Sequence, residues 1–439
     1  MWGEDGGRRA DVRVVGETIA EVGALAPLPG EEIFDATGLD VLPGMIDVHV
    51  HVDDRIGACE LADGWSTASE IALRNGITAL AGFVTQQPGE SLADALTRCR
   101  ARAAGRSACD FTFHLTPTAW PWSWGEVGEL IAQGFSTFKL YTTYREAGLF
   151  SDYPRLREVM ARLAGLGARL LVHCEDDVVL SAVGVADLDP PDARGHAVAR
   201  PESAEVAAIA RVVALAEATG CRTHVVHVST FDGAAAIAAA RSRCRLSCET
   251  APHYLLLDDS RLAGRLGYRY LCTPPLRPPA TRARLEAAAA DGAFDLFATD
   301  HCAFTRTDKD AHRDDFRRVP KGLAGIGALV PLAFELLVRG HGLPFSQLVR
   351  RLAANPARLL GVYPRKGTIA PGADADIVLL HPGGPVRPVV SSFAPCHETY
   401  HGRTTALDLR HVFLRGREVA RDNQTLPGAG EGGGCLASA

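Results

Sequence analysis

The chain has no Lys/Arg-rich block, no apolar run approaching membrane-spanning length and no Cys-x-x-Cys pair. Each absence excludes something. Without a basic block, and with a net charge of only −6 over 439 residues, nucleic acid and acidic membrane surfaces are poor partners. The opening MWGEDGGRRADVRVVG lacks an apolar signal core, and no later run is long enough for a bilayer, so no membrane association is expected. Eleven cysteines, an odd number without paired spacing, suit buried thiols in a reducing compartment better than a disulfide frame. The cytoplasm is the expected location. What is present, 47% hydrophobic and 22% charged residues, is the composition of a soluble globular protein. The length allows a large core and more than one domain.

Short β-rich runs recur along the chain at 45–51, 76–84, 109–117, 134–142, 168–176, 221–229, 245–253 and 294–302. Between most of them lie stretches rich in Ala, Leu, Arg and Glu, such as PESAEVAAIARVVALAEATG at 201–220. Eight strands alternating with helices predict an α/β fold, a (β/α)8 TIM barrel over residues 45–362. A doubly wound open sheet would give the same alternation. The flanks differ: residues 1–44 and 363–425 hold short β-like pieces separated by turn residues. Neither is long enough for a core of its own, so the two are expected to pair into one small β-sandwich beside the barrel. The Gly-rich tail, 426–439, is expected to be disordered.

In a (β/α)8 barrel the carboxyl ends of the strands face one mouth, where catalytic groups collect. Read in order, those ends carry His49 and His51, Lys139, His173, His227 and Asp300. His49 and His51, two apart on a strand, share a face. The pair alone fits a shared metal ion or two hydrogen-bonded core histidines. Six such residues at the ends of five strands favour the metal. Lys139 is the odd member, because an ammonium repels a cation. Burial lowers a lysine's pKa, and the neutral amine can add carbon dioxide to form a carbamate able to bridge two metals. The set therefore predicts two divalent ions, zinc first, with manganese, cobalt or iron as alternatives. Two metals roughly 3.5–4 Å apart can hold a hydroxide and polarise a carbonyl.

The motifs VLPGMIDVHVH, FVTQQPGESLADAL, FKLYTTY, LVHCED, GHAVARPE, HVVHVST, CETAPHYL, CTPPLR, ATDHCAF and YPRKGTIAPGADADIVLL together resemble the cyclic amidohydrolases, and within them the dihydropyrimidinases and hydantoinases. The resemblance covers nearly the whole chain. It implies that His49 and His51 bind one metal, which Asp300 also touches, that His173 and His227 bind the other, and that carbamylated Lys139 bridges both. It implies further that Asp300 carries a proton from the bridging water to the leaving ring nitrogen. Tyr144 would donate to the developing oxyanion, and Thr273 would stand where the family usually has a substrate-contacting serine. The implied reaction opens a cyclic amide or ureide, a small-molecule substrate, to an N-carbamoyl amino acid. A homo-oligomer, dimer or tetramer, is implied as well.

Two departures bear on the substrate. Relatives that hydrolyse dihydroorotate carry an arginine two residues after the second histidine, to pair the substrate carboxylate; here that position is Asp53, which disfavours dihydroorotase. Lys321 falls where hydantoinases commonly have an asparagine that contacts the ring amide. Allantoinase remains the alternative activity, using the same site on another ureide. A non-catalytic scaffold, like the collapsin response mediator proteins, is the alternative of another class, but such a relative has no reason to keep all six ligand positions. Several other residues read as support. His224, three residues before His227, faces the opposite way and is read as packing; Glu249 and His253 are kept out of the ligand set. His301 points away from Asp300, and His196 and Arg200 are read as holding their loop.

Overall fold

The computed structural model describes residues 1–183 and 192–438. All eight β-rich runs become strands of one parallel sheet: β1 (Met45–Asp47), β2 (Ile77–Thr85), β3 (Asp110–Thr116), β4 (Thr137–Tyr141), β5 (Arg169–His173), β6 (Arg222–Val225), β7 (Leu246–Thr250) and β8 (Leu296–Phe297). They lie side by side in sequence order. A doubly wound sheet reverses its strand order part-way; this one does not, and its two ends meet. β8 is only two residues long, and the closure lies just beyond it. His301–Cys302 pairs in parallel with Val50–His51. Below that, the buried Asp47 carboxylate accepts Thr299 N–H at 3.1 Å and Thr299 Oγ1–H at 2.6 Å. The seam therefore brings Asp300 against the first strand's histidines.

Crossover helices cover the barrel, among them α1 (Trp65–Arg74), α2 (Leu92–Ala103), α3 (Trp124–Ala132), α4 (Tyr153–Gly165), α5 (Glu202–Thr219), α6 (Phe231–Ala240) and α7 (Pro279–Ala290). Helix α4 shows why they form. Leu156, Val159, Met160 and Leu163 recur at helical spacing and are buried, and Asp152 caps the N-terminus by accepting Arg155 N–H. Such a cap contributes about 1 kcal/mol. Helix α5 ends at Gly220, whose φ of 68° terminates it in the left-handed region. Among the described residues, no helix is long and apolar enough to cross a membrane.

The two flanks meet in one sheet. Asp40–Pro43 pairs antiparallel with Ile377–His381, and the sheet continues through Asp408–Leu414, Arg417–Arg421 and Gln424–Thr425. A hairpin of Asp11–Val15 and Thr18–Gly23 joins it, burying Ile19 with Ile369, Ala373 and Ala375. Beneath the barrel, Lys366 Nζ sits 2.6 Å from Asp110, 2.7 Å from Asp376 and 2.9 Å from Asp374.

The tail departs from expectation: its described residues, up to Ser438, dock on the barrel. Phe111 N–H donates to Gly434 O (2.9 Å), Leu436 N–H to Phe111 O (2.7 Å) and Ser438 N–H to Gly134 O (3.0 Å). The glycines serve close approach rather than disorder. A Cβ on Gly433 would stand 2.2 Å from Cys109 O and 2.4 Å from Ser107 O.

Candidate metal centre

His49, His51 and Asp300 each offer a ligand atom, all within 4.8 Å of one another. His49 Nε2 lies 3.2 Å and His51 Nε2 3.7 Å from Asp300 Oδ1. Beside this group, His173 Nδ1 and His227 Nε2 converge at 3.0 Å, and the His49 and His227 rings are 5.4 Å apart. Lys139 projects from the middle of β4 with its ammonium 5.5 Å from the Phe83 ring centre and 5.2 Å from that of Tyr141. The Phe83 ring in turn stacks on His51 at 4.6 Å. The six residues are thus one neighbourhood at the barrel mouth.

The backbone is distorted where they leave the strands. His227 (φ 39°), Asp300 (φ 48°), Tyr144 (φ 71°) and Asp53 (φ 49°) all occupy the left-handed region without being glycine. Such residues cost about 1–3 kcal/mol each and persist only where the surroundings hold them. Four of them around one mouth mark it as the site that the fold is built to present.

The site's electrostatics favour cation ligation. Burial pushes His49 down to about 4 and takes His51 and His227 well below their ordinary values, so these imidazoles are neutral and keep a lone pair. Burial lowers Lys139 and raises Asp300. Lys139 Nζ has no hydrogen-bond partner among the described residues although the side chain is buried. An unpaired ammonium there would be costly, which fits a lysine that is neutral or modified. Neutral imidazoles, a carboxylate and an uncommitted amine together fit divalent metal.

The amidohydrolase family profile matches residues 41–419. The chain belongs to the amidohydrolase family. It is 31% identical to the D-hydantoinase of Streptomyces coelicolor over 441 aligned residues, 97% of this chain and 92% of that one. To the D-hydantoinase of Ralstonia pickettii it is 32% identical, covering 94% and 92%. The crystal structure of dihydropyrimidinase from Brevibacillus agri superposes with a TM-score of 0.94 at 31% identity, covering 100% of this chain and 97% of that one.

In this amidohydrolase the candidate ligands are themselves held by buried carboxylates that the motif reading left out. Glu249, at the end of β7, takes the Nδ1–H of His49 and, at 3.0 Å, the Nε2–H of His224, whose other nitrogen lies 2.8 Å from Ser247 Oγ. Glu175, two residues after His173, takes the His173 Nε2–H at 2.7 Å and is paired with Arg200. Each carboxylate fixes a tautomer in which the opposite ring nitrogen faces the cluster. Against the opposing effect of burial, the Arg200 charge and the His173 hydrogen bond hold Glu175 ionised, down at about 2, and the neighbouring His49 holds Glu249 well below its ordinary value. His224 and Arg200 thus do more than pack or hold a loop. His-x-Glu spacing at the end of β5 was the signal for Glu175; Glu249 lies near the end of a β-rich run, but nothing in the sequence ties it to His49, 200 residues away. His301 accepts Gly325 N–H at Nδ1 (3.1 Å), with Nε2 3.1 Å from Asp63 Oδ2.

The substrate-side residues are spread around the mouth. Tyr144 has its ring 5.1 Å from that of His173, under the Arg200 guanidinium at 5.0 Å, and burial raises its phenol pKa. Thr273 Oγ1 lies 3.3 Å from His196 Nε2, which donates at 2.8 Å to Cys272 O. Lys321 Nζ donates to Arg317 O at 2.7 Å, while burial and the Arg200 charge bring its pKa down to about 8. The Asp53 carboxylate stands 3.9 Å from Arg106, outside the ligand group.

Proposed function

We propose that this chain opens a dihydropyrimidine or hydantoin ring to an N-carbamoyl amino acid. His49, His51 and Asp300 would hold one divalent ion and His173 and His227 a second, zinc first, with Lys139 carbamylated between them. The carbamate forms as the neutral Lys139 nitrogen bonds to the carbon of carbon dioxide and gives up a proton. The carrying observation is the convergence of two neutral-histidine groups, with Asp300, from four strand ends beside a buried lysine on a fifth strand that has no hydrogen-bond partner among the described residues. When bound, the ions lower the pKa of water and polarise the ring carbonyl.

The chain's own residues supply the rest. Asp300 Oδ, beside both histidines of the first strand, takes the proton of the attacking water and returns it to the ring nitrogen as the C–N bond breaks. Tyr144 stays a phenol because burial raises its pKa, so its hydroxyl can donate to the carbonyl oxygen as charge develops there. Thr273 would hold the ring on the opposite side. Asp53, beside Arg106, offers no cation to a substrate carboxylate, which argues against dihydroorotate. The eleven cysteines are all free, which suits a reducing, cytoplasmic setting; there the chain would act as a homo-oligomer.

The test is metal content per chain on protein purified without chelator, with hydrolysis assays on dihydrouracil, hydantoin, allantoin and dihydroorotate. About two metals, reduced in Lys139→Ala, with turnover of dihydrouracil or hydantoin is the expected result. No metal after reconstitution with zinc and bicarbonate would refute the reading.

A further inference from the structure

We propose that Arg277 and Glu205 form a buried brace that sets the affinity of the second metal position alone. The inference rests on the assignment of His173 and His227 as that metal's ligands. Neither residue touches the cluster. Arg277 follows β7 in CTPPLR and is 4% exposed; Glu205 lies in the first turn of α5 and is 2% exposed.

Glu205 holds the chain immediately after His227. Its Oε1 accepts Ser229 N–H at 3.0 Å, Thr230 N–H at 2.9 Å and Thr230 Oγ1–H at 2.7 Å, and its Oε2 accepts the Ser229 hydroxyl. Two consecutive amides on one carboxylate oxygen fix the turn that a φ of 39° at His227 requires. An unfavourable backbone of that kind needs over-determined surroundings, and Glu205 provides them.

Arg277 links this turn to the other ligand. Its Nε donates to Ser229 Oγ at 2.9 Å and one terminal nitrogen lies 3.4 Å from Glu205 Oε2. The other donates to Arg200 O at 2.6 Å. Arg200 in turn pairs with Glu175, which orients His173. One planar guanidinium therefore ties the support of His227 to the support of His173, whose ring nitrogens must stay in register. Glu249 does the corresponding work for His49 by a separate route, so the two metal positions have independent supports.

The test uses Arg277→Lys and Ser229→Ala in the full-length protein loaded with zinc and bicarbonate, reading metal per chain against a graded chelator. Lysine keeps the charge but not the fork. Support residues of metal ligands typically account for 10–100-fold in affinity. The expected result is that one of two zinc ions leaves at about 10–100-fold lower chelator concentration while the other leaves as in wild type, with Ser229→Ala smaller in the same direction. Should Arg277→Lys not fold, Ser229→Ala alone decides by the same criterion. Unchanged release of both ions, or equal weakening of both, overturns the brace. A wild-type protein that binds no metal would instead overturn the ligand assignment itself.

Discussion

Replacing Lys366 by methionine should destabilise the protein by about 3–5 kcal/mol, the cost of leaving buried charge without its partner. The upper end applies, because one ammonium serves three carboxylates at 2.6–2.9 Å. The ammonium is 1% exposed and Asp110 fully buried, so solvent cannot take its place. Arg415, which also pairs with Asp110 and whose amide donates to Asp376 at 2.9 Å, would be the one cation left against the cluster among the described residues. The loss should depend on pH with a definite sign. Burial already raises Asp376 even with the lysine present, and without it the cluster would bind protons more readily than the unfolded chain. Stability of the variant then falls as pH rises through those values, so the deficit is larger at pH 8 than at pH 5. Equilibrium urea unfolding followed by tryptophan fluorescence reads it. With a slope of about 4 kcal/mol/M for a chain of this size, the midpoint should drop by about 1 M at pH 8. Metal content should be unchanged, since the cluster ties the start of β3 to the small domain at the far end of the barrel. A shift worth less than about 1 kcal/mol, or one larger at pH 5, would refute the clamp.

Other perturbations separate the site's parts. Glu249→Gln should weaken the metal proposed for His49 and His51 by about 10–100-fold, read by chelator competition with the other ion as internal control. Thr299→Val removes the hydroxyl that donates to Asp47 at the barrel seam and should cost about 1–3 kcal/mol in urea unfolding, the price of a buried group left unsatisfied. Lys321 has its pKa lowered to about 8. KM for a hydantoin bearing a carboxylate substituent should therefore rise as pH passes 8 and the cation is lost, and Lys321→Asn should flatten that rise; equal pH profiles would remove Lys321 from the substrate's surroundings.

The barrel was legible because each strand is a short apolar run bounded by turn residues, and the helices between show helical spacing of buried positions. All eight windows chosen by that rule contain a strand. What the rule could not see is the seam. Thr299, His301 and Cys302 join the first strand's segment through side chain and backbone across more than 240 residues, and no local pattern encodes that pairing. The tail failed for a different reason. Glycine-rich sequence reads as freedom, yet Gly433 is required because Cys109 O and Ser107 O lie where its Cβ would be. Composition reports conformational freedom in the unfolded chain; only the folded neighbour decides whether that freedom is spent on contact.

The candidate ligands were legible for the same reason the strands were, since a histidine or aspartate at a strand's carboxyl end needs only local register to be placed. Of the residues that orient them, only Glu175 left a local trace, two positions after His173. A lone histidine is ambiguous between two tautomers, and the choice is made by Glu249 for His49 and by Glu175 for His173. The left-handed backbone at His227 and Asp300 is equally invisible, since histidine and aspartate adopt it more often than most residues but still uncommonly, and here Glu205 and the seam hold the chain in it. The chemistry of this centre is therefore written twice. Strand ends carry the groups that would touch metal, and buried carboxylates, one of them 200 residues from its histidine, decide which atom each group presents. A change in the second set should leave the motifs intact while altering metal affinity, so intact motifs alone are a weaker sign of activity in such a chain than motifs together with Glu175, Glu205 and Glu249.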